Sequence, residues 1–142
     1  MSQLDTIRLD LPATHANLHV LRACLGALLA GTEGLAERPD LVHSLQLAVH
    51  EACINIVDHA YAGMAPGRIR IAITLSGAPP RLIVELEDTG GSFDFAAIPE
   101  PDLVEGQIRG YGLFLMRQVL DDVVYESLPH GNRWRLTKKL SP

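Results

Sequence analysis

Cysteine is scarce in this chain: Cys24 and Cys53 are the only two among 142 residues. Both fall in apolar helical patterns, so they read as reduced core thiols, and a disulfide framework is excluded. A basic surplus is missing too. Lys and Arg number 12 against 17 Asp and Glu, for a net charge of -5, which excludes the broad cationic footprint of a DNA- or RNA-binding protein. An acidic chain that binds a polyphosphate must supply local help: a divalent cation, a helix N-terminus or a few arginines. No apolar run reaches the length needed to span a bilayer. Asp5, Arg8 and Asp10 interrupt the first ten residues, where a secretory signal would need an apolar stretch. The sequence has no Gly-x-Ser-x-Gly elbow and no Walker A motif. It also lacks an internal repeat or a linker. The expectation is a cytoplasmic protein, one domain over residues 1–142, with no membrane and no direct nucleic-acid partner.

What is present is 47% apolar residues, enough for a real core. Apolar residues alternate with polar ones from Leu4 to Leu11, ahead of Pro12, and predict a strand. Thr14 is placed to cap a helix over His15–Ala30, with Leu18, Leu21, Leu25 and Leu28/Leu29 on one side and Gly31 and Gly34 closing it. Pro39-Asp40 opens a second, long helix to about Tyr61. Ile69, Ile71 and Ile73, then Leu82, Val84 and Leu86, alternate on either side of a turn at Gly77–Pro80, the pattern of a β-hairpin. Periodicity vanishes from Phe95 to Arg109. A helix follows over Gly112–Leu120, then strands over Val123–Leu128 and Trp134–Leu140, around His130-Gly131-Asn132. The expected fold class is α+β: a two-layer α/β sandwich, a mostly antiparallel sheet with helices on one face.

Three segments carry the chemistry. On the second helix, about 100° per residue puts Val42, Leu45, Val49, Ala52, Cys53, Ile56 and Ala60 opposite Glu51. Ser44, Asn55 and Asp58 gather near Glu51, with His59 further round. A lone Glu-x-x-x-Asn is what many amphipathic helices show. Here a second apolar stripe, Leu47, Ile54, Val57 and Tyr61, narrows the polar window, and that window has no Lys or Arg. A carboxylate and an amide in such a window suit a proton acceptor, Glu51, and a hard-oxygen ligand for Mg²⁺, Asn55. The second segment is Asp88-Thr89-Gly90-Gly91, after a strand. A buried carboxylate there can accept a hydrogen bond from an amino group such as that of adenine, and Gly90 and Gly91 let backbone approach a flat base. The third is Arg109-Gly110-Tyr111-Gly112-Leu113, opening a helix. Its N–H groups and dipole suit a phosphate, with Arg109 beside it. Each motif alone is common, and their order is what carries information. His15 and His19, four apart on a helix, lack a third metal ligand.

In that order the segments resemble the GHKL (Bergerat-fold) ATPases, and most of all their stand-alone branch of anti-sigma factors that are also serine-protein kinases. His50-Glu51-Ala52-Cys53-Ile54-Asn55 through His59-Ala60-Tyr61 is similar to that branch's N box. Asp88 to Asp94 is similar to its first glycine box, and Arg109 to Leu115 through Asp121 to its second. Asn132 to Leu140, with Thr137 in the strand, is similar to the closing segment whose Thr lies near adenine. The resemblance implies ATP and Mg²⁺ as cofactors, with Asn55 on the metal, Glu51 as base and Asp88 reading adenine. It implies a nucleotide site drawn from Asn55, Asp58, His59, Asp88, Gly90, Arg109, Gly110, Tyr111, Gly112, Leu113 and Thr137, and an ATP lid over 96–109. Ser92 departs from the pattern, where that family usually has a second Gly or a Pro. The implied partners are a small anti-sigma-factor antagonist with a phosphorylatable Ser, a sigma factor and a second copy in a homodimer. An alternative output is a nucleotide-binding interaction module that sequesters a partner without significant kinase activity. The presence of both Glu51 and Asn55 favours the kinase.

Overall fold

A computed structural model of the chain describes residues 5–77, 79–92 and 111–140. The first strand, β1 (Asp5–Pro12), pairs antiparallel with β2 (Arg68–Ser76), and β2 pairs antiparallel with β3 (Arg81–Asp88) through the expected hairpin. The chain closes with β4 (Asp122–Leu128) and β5 (Gly131–Lys139), and β5 inserts beside β3, giving the order β1-β2-β3-β5-β4. Pro12 lies at the end of an edge strand, where its missing N–H costs no ladder bond.

Alternation decides the two faces. Ile69, Ile71, Ile73, Leu82, Val84, Leu86, Trp134 and Leu136 are buried on one face. Against them pack α1 (Leu18–Ala30), α2 (Pro39–Asn55) and α3 (Tyr111–Val119). The helix α2 touches both α1 and α3. Its Leu45, Ala48, Val49, Ala52 and Cys53 recur at helical spacing and are buried. Burial pushes the Cys53 thiol up to about 12, in keeping with an inert core thiol. The other face of the sheet carries Arg70, Glu85, Glu87, Arg133 and Arg135.

Two helix ends differ from expectation. Thr14 makes no side-chain capping bond. Instead its Oγ1 accepts from the Asn17 side-chain amide at 2.9 Å, and a 3-10 turn over His15–Asn17 precedes α1. The second helix does not run unchanged to Tyr61. It widens after Asn55 into a π turn over Ile56–Ala60, where the Tyr61 N–H reaches back five residues to the Ile56 carbonyl at 3.3 Å. Among the described residues, no helix is long and apolar enough to cross a membrane.

Candidate active site

The π turn delivers the C-terminal end of the second helix to the turn that follows β3. The Gly91 N–H donates to the Ala60 carbonyl at 2.6 Å. The Tyr61 hydroxyl accepts from the Thr89 N–H at 3.0 Å and donates to the Arg68 carbonyl at 2.7 Å. A Cβ on Gly90 would run into the Ala60 carbonyl, so only glycine allows this approach. The glycines of the Asp-Thr-Gly-Gly turn thus fit the α2 end tightly against the sheet.

Asp88 sits at the centre of this junction and is 5% exposed. Its Oδ1 accepts from the Gly90 N–H at 2.8 Å, closing an Asx turn, and from the Asn132 amide at 2.8 Å. Its Oδ2 is buried and has no hydrogen-bond partner among the described residues. Burial raises the carboxyl above its ordinary range, while the Asn132 and Gly90 donors pull it back down. A buried acceptor without a partner costs stability unless a ligand supplies the donor. This oxygen therefore fits an exocyclic amine such as that of adenine.

Glu51 and Asn55 lie one helical turn apart on α2, both half-buried. Neither has a hydrogen-bond or ion-pair partner among the described residues. Burial raises the Glu51 carboxyl, which makes it a better proton acceptor once ionised. The adjacent His50 has a buried Nδ1 with no partner among the described residues. Its imidazole is held below its ordinary range by burial first, then by Arg22, His19 and His15.

The other expected site residues divide. Asp58 and His59 fall in the π turn, where the 100° step no longer holds, and both are exposed. Asp58 Oδ1 pairs with His15 Nε2 at 2.8 Å, joining the π turn after α2 to the 3-10 turn before α1 at the surface. The backbone of Tyr111 and Gly112 opens α3, and Leu113 is buried beneath it. Arg109, Gly110 and the expected lid over 96–109 lie outside the described residues. Among the described residues no group of three or more His, Cys, Asp or Glu could hold a metal ion. Any ion here would rely on an oxygen such as that of Asn55, together with phosphate oxygens and water.

Thr137 is the correction. It pairs with Ile83, whereas Asp88 pairs with Asn132 five residues away, about 16 Å along a strand at about 3.3 Å per residue. Five is odd, so the two side chains also take opposite faces. Thr137, itself buried, lines a groove on the open face with Arg81, Glu85, Arg133 and Arg135. The residue beside Asp88 is Asn132, 1% exposed, which the sequence reading left in a turn. Its signal was the preceding glycine. Gly131 has φ +154, and a Cβ there would overlap the Asp88 carbonyl. Ser92, the departure from the glycine-box pattern, lies within hydrogen-bond distance of Ser127, 3.1 Å between hydroxyls, and ties the turn to β4.

The fold is shared with known proteins. The RsbU and RsbW domains of a Mycobacterium tuberculosis protein superpose with a TM-score of 0.67 at 20% identity, over 95% of this chain and 32% of that one. The histidine kinase domain of a blue-light activated kinase from Erythrobacter litoralis gives 0.53 at 17% identity, over 91% of this chain and 61% of that one. In sequence, the chain is 30% identical over 131 residues to the serine-protein kinase RsbW of Bacillus pumilus, covering 84% of this chain and 77% of that protein. The RsbW of Bacillus velezensis is 30% identical over 138 residues, covering 89% and 81%. The sequence pattern described as the histidine kinase-like ATPase domain matches residues 11–138, and with that match this chain belongs to the histidine kinase-like ATPase family, of the GHKL type.

Proposed function

We propose that this chain is an ATP-dependent protein kinase that phosphorylates a serine on a small antagonist protein, and that it also sequesters a sigma factor, acting as a homodimer. The observation that carries the nucleotide part is the unpartnered, buried Oδ2 of Asp88 beside Gly90 and Gly91. The similarity to proteins named serine-protein kinase RsbW supports the choice of a serine and of a partner-switching role.

In this reading Asp88 accepts the adenine amine, and Gly90 and Gly91 leave room for the ring. Asn55, and Mg²⁺ held by its carbonyl oxygen, belong to the phosphate end. The ion would supply charge neutralisation on the phosphate oxygens. Glu51 takes the proton of the attacking serine hydroxyl. It is half-buried, with a raised pKa and no competing partner among the described residues. Asp58 and His59 are exposed and open to a docking protein.

The experiment is incubation of the chain with γ-labelled ATP, Mg²⁺ and a candidate antagonist. Label should reach the antagonist's serine. Glu51→Gln should retain ATP and partner binding and lose transfer by about 100-fold or more, the range for a general base. Transfer at the wild-type rate in Glu51→Gln would remove Glu51 from the base role. ATP binding and partner capture without any label transfer would leave a sequestering module.

A further inference from the structure

Asn132 is more than a neighbour of Asp88. Its Nδ2 donates to Asp88 Oδ1 at 2.8 Å and to the Gly91 carbonyl at 2.8 Å. Its Oδ1 accepts from the Tyr125 hydroxyl. The amide orientation is forced, because a carboxylate and a carbonyl face one end of the group, and a hydroxyl that can donate faces the other. The Tyr125 ring is itself held edge-on against Trp134, centroids 5.2 Å apart. The result is a chain of fixed donors running from β4 through β5 to one oxygen of Asp88, leaving the other oxygen free.

We propose that Asn132, backed by Tyr125, is a positioning residue that holds Asp88 as an acceptor-only carboxylate and so makes the site selective for a 6-aminopurine over a 6-oxopurine. The inference rests on the adenine reading of Asp88 given above. An ionised carboxylate can only accept. It welcomes an exocyclic amine and repels a carbonyl oxygen. A protonated carboxyl can donate as well as accept, and would take either base. Burial pushes Asp88 towards the protonated form. Two donors oppose burial, the Gly90 N–H and the Asn132 amide, and among the described residues no charged side chain contributes. Tyr125 is the other titratable group in the chain of bonds, and it faces Asn132. Discrimination therefore depends on an amide one residue removed from the base.

The test measures binding of ADP and IDP, whose bases differ at the 6-position and the adjacent ring nitrogen, by calorimetry between pH 5.5 and 8.5 in one magnesium buffer. The wild type should prefer ADP by about tenfold or more, the cost of facing an acceptor with an acceptor. Asn132→Leu keeps the volume and removes the donors. Its preference should fall to about threefold or less at the acid end and recover as pH rises, because the carboxyl then ionises only at higher pH. Asn132→Thr, which restores one donor, should keep most of the preference. A purely structural role would lower both affinities and the melting temperature together, and would leave the ADP-to-IDP ratio and its pH dependence alone. A folded Asn132→Leu protein with the wild-type ratio at every pH would overturn the proposal. If that variant does not fold, Tyr125→Phe decides. It removes one hydroxyl from a half-buried ring, and an unchanged ratio there would equally overturn it. Failure of the underlying adenine reading looks different: Asp88→Asn would then bind ADP as the wild type does.

Discussion

Two adjacent rungs of the β3–β5 ladder, Glu87 with Arg133 and Asp88 with Asn132, differ by one residue and by one face of the sheet. On the open face Glu87 takes Arg133 at 3.0 Å and Arg70 at 3.6 Å, with every partner partly in water. On the helix face Asp88 takes a neutral amide and a backbone N–H, and keeps one oxygen unpaired in the interior. Water makes the first rung cheap to form and cheap to lose. Burial makes the second costly unless a ligand completes it. The two rungs differ in energetics, and in the function proposed above the expensive rung is the one that a ligand completes.

The largest expected effect breaks the support of the buried rung. Gly131→Ala places a methyl on the Asp88 carbonyl at a φ of +154, where a side chain is also strained. Destabilisation of about 3 kcal/mol or more should follow, read by urea unfolding. Thr137→Val, at the other end of the same strand and on the open face, should leave ADP affinity unchanged. A loss of ADP affinity in Thr137→Val would return that residue to the site and undo the contrast between the two faces.

That contrast also explains what the sequence made legible. Period-two alternation at Ile69, Ile71, Ile73 and at Leu82, Val84, Leu86 fixed the strands and their inner face, because every second residue is buried. The helical stripe of α2 was legible for the same reason. The π turn was not, since it is completed by a bond from Gly91 to Ala60 across the fold. The widened turn then moved Asp58 out to His15, a partner 43 residues away. Asn132 was overlooked because residue type favoured a Thr, while face and register, which need the β3–β5 pairing, favour the residue opposite Asp88. Residues 93–110, which include part of both glycine boxes, lie outside the described residues.

An intermediate effect sharpens the comparison through pH. Asp88 is raised above its ordinary 3.8, so the folded state holds that proton more tightly than the unfolded one. The associated stability is complete below the unfolded value and is lost as pH rises through the folded value. Asp88→Asn should therefore remove this fall with rising pH, so the nucleotide-free variant gains on the wild type as pH rises through the folded value. It should also weaken ADP by about tenfold or more. His50, held below its ordinary 6.5, contributes the opposite slope, losing stability as pH falls below that value. That slope cancels when variant and wild type are compared at each pH. Urea midpoints from pH 4 to 8 would read the difference. Parallel curves for the two proteins would mean that Asp88 does not carry the burial cost assigned to it.

The smallest effect belongs to the open rung. Glu87→Gln removes the carboxylate that faces Arg70 and Arg133, but all three side chains stay at least 32% exposed. Exposed pairs of this kind contribute about 1 kcal/mol or less, and salt screens them. Arg133 also keeps Glu126 at 3.5 Å, so the guanidinium is not left alone. The variant should lose at most about 1 kcal/mol at low salt, with the difference shrinking towards zero as ionic strength rises, and ADP should bind as before. Urea unfolding at two salt concentrations, beside ADP titrations, measures both. A loss that persisted at high salt, or any change in ADP affinity, would mean that the two faces of the sheet are coupled through the backbone of residues 87 and 88.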